Sequence, residues 1–246
     1  MVTVALNMFA LWKQEARDRV RAQQMQKQRP EPFRTAWTQL VSQPGKLRLL
    51  AVIALGTFGF GAAGVLLEPY GGQALGFTVA ETTKLTALLA GGTLIGFGIA
   101  SRVLGSGGDP ARLGLTGAVI GIPGFSAIIL SSLGGGALLF LAGTLATGLG
   151  AGLFGHATLT ATMRSAPRHQ IGLALGTWGA VQATSAGIGV AIAGIVRDLI
   201  VNASAGSGAS PHAPYNAVFL IEILFLVLAC ATLWPLIMRA HVPEQR

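Results

Sequence analysis

The chain has a single cysteine in 246 residues. Cys230 lies inside an apolar run, so an intrachain disulfide framework is excluded. Charge is scarce too. Only 11% of the residues are Asp, Glu, Lys or Arg, against about 25% in an ordinary soluble domain. So few charges cannot cover a water-facing surface, which argues against a soluble globular enzyme. A hydrophobic share of 52% excludes a disordered chain as well. Enzyme signatures are missing: there is no Walker loop, no H-E-x-x-H, no cysteine pair and no recognisable nucleophile with its base. The chain is therefore not expected to be an enzyme. No cleavable leader is visible either. Residues 1–12 are apolar, but they lack a positive n-region and a small-residue cleavage site, and they are too short to cross a bilayer. They read as the end of a helix that begins earlier.

What the chain has in quantity is glycine, at 35 positions, and apolar length, with a mean hydropathy of +0.62. Six apolar stretches fall at about 49–67, 85–103, 113–130, 137–159, 171–195 and 217–238. Each is close to the roughly 20 residues needed to span a hydrocarbon core. None shows the alternating polarity of a barrel strand, and a helix satisfies its backbone within one segment, so all six read as helices. The expected fold class is an all-α integral membrane protein of six transmembrane helices. Its expected organisation is residues 1–12 as the end of a preceding helix and 13–46 as a basic linker. Residues 47–238 form the bundle and 239–246 the tail.

The formal charge of +8 would suggest nucleic acid in a soluble protein. Here it reads as topology. Lys13, Arg17, Arg19, Arg21, Lys27, Arg29, Arg34, Lys46 and Arg48 precede or open the first span. Arg102 and Arg112 bracket the second connection, Arg164 and Arg168 lie in the fourth, and Arg239 and Arg246 follow the sixth span. Of the 17 basic residues only Lys84 and Arg197 fall on the other side. The positive-inside rule then places both termini in the cytoplasm.

Glycine inside spans points to close helix contacts, because lipid supplies no hydrophobic drive between helices. Small-xxx-small spacing recurs at Gly92/Gly96, Gly117/Gly121, Gly148/Gly152 and Gly172/Gly176, which are expected to be packing faces. Pro123 and Pro235 are expected to kink the third and sixth spans. Polar groups in an apolar setting are functional candidates because burying them is costly. His156 late in the fourth span is a candidate metal ligand or a histidine bonded to a neighbouring helix. Glu222 in the sixth span is a proton-carrying or structural candidate and a partner for His156. Gln182 lies midway in the fifth span. Leu67-Glu68-Pro69-Tyr70-Gly71-Gly72 reads as a polar turn ending the first span, with Glu68 stapling it. Arg197-Asp198 reads as a solvated pair at the end of the fifth span.

Several runs carry a resemblance. Gly56-Thr57-Phe58-Gly59-Phe60-Gly61 leads into Val65-Leu66-Leu67-Glu68-Pro69-Tyr70-Gly71-Gly72-Gln73 and then Leu75-Gly76. Glu81-Thr82-Thr83-Lys84-Leu85-Thr86-Ala87-Leu88-Leu89-Ala90-Gly91-Gly92 follows, and Leu11-Trp12-Lys13-Gln14-Glu15 looks like the exit from a family helix. Together they resemble the bacteriochlorophyll-delivery family of the major facilitator superfamily, over nearly the whole chain and in the C-terminal half of the family pattern. The resemblance implies six helices forming one half of a twelve-helix fold. It also implies a role in delivering bacteriochlorophyll during light-harvesting complex assembly in the inner or intracytoplasmic membrane of a phototrophic bacterium. The implied cofactor is bacteriochlorophyll, with lipid as a second possible ligand. His156, Glu68, Tyr70 and Gln182 become pigment-binding candidates, and the pigment magnesium at His156 is the one metal considered. Implied partners are membrane lipid and antenna polypeptides or a reaction-centre antenna complex, together with a separate N-terminal half or a second copy. No nucleic acid is implied. Two other readings stay open. One is a proton-coupled transporter half using Glu222 and His156; the other is a structural subunit of a photosynthetic complex.

Overall fold

The computed structural model describes residues 8–9, 33–167, 170–204 and 210–239. The expected helix end at 1–12, the linker up to residue 32 and the tail from residue 240 lie outside the described residues, apart from Met8 and Phe9 and the helix end at Arg239. Residues 39–246 group as one compact unit and 1–38 as another. The described helices are α1 (Phe33–Ser42), α2 (Lys46–Gly61), α3 (Ala63–Ala74), α4 (Val79–Gly105), α5 (Pro110–Leu130), α6 (Gly136–Arg164), α7 (Ile171–Ala203) and α8 (Ala213–Arg239). No strand occurs among the described residues.

Five helical stretches are long and apolar enough to cross a membrane: Lys46–Ala74, Val79–Gly105, Pro110–Arg164, Ile171–Ala203 and Ala213–Met238. The sequence reading counts six spans, and the difference lies in Pro110–Arg164. This stretch has 55 residues, far more than the roughly 20 that a bilayer core needs. Its backbone leaves helical geometry at Leu133 and at Gly134 (φ +106), and Gly136 follows at φ +70. The stretch folds back there as α5 and α6. A Cβ on Gly117 would fall 2.7 Å from the Gly150 carbonyl oxygen, and one on Gly124 would fall 2.9 Å from the Thr147 amide. As one residue number rises the other falls, so the pair is antiparallel.

α4 packs against α6 in the parallel sense. Gly92 abuts the Leu149 amide at 3.0 Å and Gly96 the Leu153 amide at 2.9 Å, measured from the Cβ each glycine lacks. Gly148 and Gly152 face Leu89, Thr93 and their backbone in return. These helices touch backbone to backbone, and any side chain at the glycines would wedge them apart. Gly121 instead faces the ring of Phe60 and a methyl group of Leu226 on the other side of α5. Gly172 and Gly176 differ from the expectation. A Cβ there meets nothing within 4 Å, because α7 lies at the edge of the bundle. Only 11% of its most apolar window is buried, against 39% for Lys46–Ala74.

The helix ends follow local chemistry. Thr78 and Glu81 form a reciprocal capping box at the start of α4, and Asp109 Oδ1 accepts from the Ala111 amide at 2.8 Å to open α5 beside Pro110. At one end of the bundle, basic side chains satisfy orphan carbonyls. Arg164 donates to Leu104 and Gly108 oxygens at 2.7 and 2.9 Å, and Lys46 Nζ to Ser165 O and Oγ at 2.5 and 2.7 Å. We call this the basic end.

One boundary differs from the sequence reading. The run 67–72 is not a turn: α3 continues through Pro69 to Ala74, and the chain turns at Gly76 (φ +70). Tyr70 explains the extension. Its ring is fully buried against Phe140, Tyr215 and Phe219, at centroid distances of 5.3, 5.4 and 5.6 Å, and that anchoring carries the helix past the proline.

Candidate functional site: a polar seam beside a broken helix

The first span is broken in its middle. α2 ends at Gly61 and α3 starts at Ala63, with Ala62 as both C-cap and N-cap. The Ala62 oxygen accepts from the Val65 and Leu66 amides at 3.0 and 2.9 Å, while its own amide donates to Glu222 Oε1 at 2.8 Å. A broken helix inside a membrane needs a substitute acceptor for its freed amides, and Glu222 of α8 supplies it. Gly59 makes this reachable. A Cβ there would fall 2.8 Å from Leu226 and 3.0 Å from the Glu222 carbonyl, so only glycine lets α8 come this close.

Glu222 is 1% exposed, and its Oε2 has no hydrogen-bond partner among the described residues. A small cavity beside it is lined by Phe58, Ala62, Gly189, Ile192, Ala193 and Glu222 among others, and its volume of about 10 Å³ suits roughly one water. Ala62 and Ala193 also line a larger groove of about 320 Å³ between α3 and α7. That groove passes Val65, Pro69, Val190 and Gly194 and reaches Arg197 and Asp198 at the end opposite the basic one.

There the structure assembles a network. Arg197 Nε donates to Tyr215 Oη at 3.2 Å, one terminal nitrogen to Gln73 Oε1 at 3.3 Å and the other to Asp198 Oδ1 at 2.9 Å. Tyr215 Oη donates to Gln73 Oε1 at 2.5 Å, and the guanidinium carbon lies 5.4 Å from the Tyr215 ring centroid. Three helices, α3, α7 and α8, are tied by these contacts. Arg197 is therefore not simply solvated; its side chain is 29% exposed, while that of Asp198 is 66% exposed. The sequence reading passed over Gln73 and Tyr215 as site residues. Their partners lie 124 and 142 positions away, and no local spacing encodes that.

The other candidates scatter. Tyr70 is a core residue whose hydroxyl donates to Ile128 O at 3.3 Å. Glu68 is exposed, and its carboxylate accepts from Thr86 of α4. Gln182 is half-buried on α7. His156 is half-buried on α6, with its ring 5.9 Å from that of Phe97. Glu222 bonds Ala62, so the expected His156–Glu222 pair is not formed. Among the described residues no group of three His, Cys, Asp or Glu side chains could hold a free metal ion.

A bundle that is all-helical among the described residues, with five stretches long and apolar enough to cross a membrane and an apolar exterior bearing Leu94, Leu138 and Leu220, defines a multi-pass membrane protein. A family model described as PUCC protein matches residues 1–241. The chain is 61% identical over 241 residues to "Protein PucC" of Rhodobacter capsulatus, covering 97% of this chain and 52% of that protein. It is 52% identical over 235 residues to "Protein PucC" of Cereibacter sphaeroides, covering 96% and 51% respectively. A more distant relative is "Bacteriochlorophyll synthase 44.5 kDa chain" of Rhodobacter capsulatus, 31% identical over 144 residues, covering 55% of this chain and 33% of that one. The chain belongs to the PucC family, and it spans about half the length of the PucC proteins it matches.

Proposed function

We propose that this chain works as part of a membrane assembly factor for light-harvesting complexes in a phototrophic bacterium, handling bacteriochlorophyll for antenna polypeptides. The observation that carries this reading is membership of the PucC family across residues 1–241. The relative named for bacteriochlorophyll synthase supports the link to that pigment. In this reading the protein sits in the inner or intracytoplasmic membrane with the basic end in the cytoplasm, following the positive-inside rule.

The residues present fit a chlorin better than a bare ion. With no three-donor cluster among the described residues, a metal would enter inside a ligand that already holds it and would need only one further donor from the protein. His156 offers one neutral imidazole nitrogen on a half-buried surface beside Phe97. The bound pigment would supply light absorption, not a reaction step. The chain's part is to hold the ring and keep it from water. Tyr70 serves as a core anchor in this scheme, and Glu68 and Gln182 remain secondary contacts to test.

The experiment is purification from a pigmented host in mild detergent, followed by absorption spectroscopy. Near-infrared bacteriochlorin bands comigrating with the protein are expected, and His156→Ala should remove or shift one. A colourless wild-type protein after pigment-preserving isolation would count against pigment handling. An unchanged spectrum in His156→Ala would remove that residue from the proposal.

A further inference from the structure

The carboxyl of Glu222 is larger in chemistry than its structural task. Stapling the α2–α3 break needs one oxygen, and Oε1 supplies it to the Ala62 amide at 2.8 Å. The second oxygen is buried, has no partner among the described residues, and belongs to a residue lining a cavity sized for about one water. A buried, half-used carboxyl is costly in an apolar medium, and such groups in membranes mark ion and proton pathways.

A wider groove lies directly beside the cavity. Ala62 and Ala193 form walls of both the cavity and the 320 Å³ groove between α3 and α7. The groove mouth carries Arg197 and Asp198, and Asp198 is two-thirds exposed. Tyr215 stands seven residues before Glu222 on α8, two helical turns nearer the same mouth, and shares its hydroxyl with Arg197 and Gln73. Polar groups thus mark the groove mouth at the end opposite the basic one, and apolar walls, Val65, Pro69, Val190 and Gly194 among them, run from there toward the broken helix.

We propose that Glu222 Oε2 is a proton-binding site served by water entering through the α3–α7 groove, from the end of the bundle opposite Lys46 and Arg164. A hydronium in the groove gives its proton to Oε2, forming an O–H bond and leaving water, while Oε1 keeps the Ala62 amide. Among the described residues no other titratable side chain lines the cavity; its remaining walls include Phe58, Gly189, Ile192, Val218 and Ile221. The charged groups facing it across the groove are Arg197 and Asp198 of α7. α3 contributes Glu68, bonded to Thr86, and the core hydroxyl of Tyr70. Of the other elements packed on α8, α2 brings Lys46 and Arg48 and α5 brings Arg112, all near the basic end. This site does not depend on the pigment reading.

The test is infrared difference spectroscopy of the protein in lipid nanodiscs across a pH titration. A protonated-carboxyl band that shifts in deuterium oxide is expected in wild type and absent in Glu222→Gln, which keeps an acceptor for Ala62. Gly194 lines the groove and has open space for a side chain, whereas Gly172 is equally open but lies at the other end of α7. Gly194→Trp should slow deuterium exchange of the band at least several-fold, and Gly172→Trp should leave it unchanged. A band that survives Glu222→Gln, or no titrating band at all, overturns the site. Equal exchange rates in the two tryptophan variants overturn the route.

Discussion

At the scale of single residues, the glycines divide into two kinds that composition cannot separate. Gly150 has the Gly117 oxygen and Gly121 amide 2.6 and 2.9 Å from its missing Cβ, whereas Gly172 has nothing within 4 Å. Gly150→Ala is expected to lower detergent-solubilised thermal stability by about 1–3 kcal/mol, since the helices must part. Gly172→Ala should be neutral or stabilising by about 0.5–1 kcal/mol, because alanine suits a helix interior better than glycine. Matched thermal melts check both. Glu222→Ala leaves the Ala62 amide buried without its acceptor, for an expected loss of about 1–3 kcal/mol, and Glu222→Gln should recover most of it. The sequence makes Glu222 conspicuous as a lone carboxyl in an apolar run. It does not reveal the partner, because a helix break after Gly61 leaves no punctuation that distinguishes it from the glycine-rich run around it.

Among elements, span positions are legible and their ends are less so. Apolar length marks 85–103 and 113–130 well, and α4 and α5 extend beyond them only by capped turns. The fourth connection follows the same logic, since Lys46 and Arg164 bond the carbonyls at the ends of α6 and α4. The Glu68-Pro69 run misleads because proline and charge usually end a span, whereas burial of Tyr70 keeps α3 helical to Ala74. The three-helix junction at Arg197 tests how these elements are held. Tyr215→Phe removes the hydroxyl shared by Arg197 and Gln73 and is expected to cost about 1 kcal/mol. Arg197→Ala should cost more, because it also strips a guanidinium from the Tyr215 ring. Double-mutant melts should show the two losses to be strongly non-additive; simple additivity would mean that the junction does not act as a unit.

On the scale of the whole molecule, the described helices combine an apolar exterior, backbone-to-backbone packing of α4, α5 and α6, and an edge helix α7 with an uncovered glycine surface, in a chain that spans about half the length of the PucC proteins it matches. The charge deficit and glycine excess made the membrane class readable from composition, and the quoted motif runs made the family readable. The polar seam was readable only in part: Glu222 and Arg197 stand out in the sequence, but their partners Ala62 and Gln73 lie more than a hundred positions away on another helix. The central claim is service to antenna assembly, and it is tested most directly in a phototrophic host whose gene for this protein is deleted. Near-infrared absorbance of the membranes should lose its light-harvesting bands while total extractable bacteriochlorophyll precursors persist, and the intact gene should restore them. Antenna bands of undiminished height in the deletion strain would contradict the account.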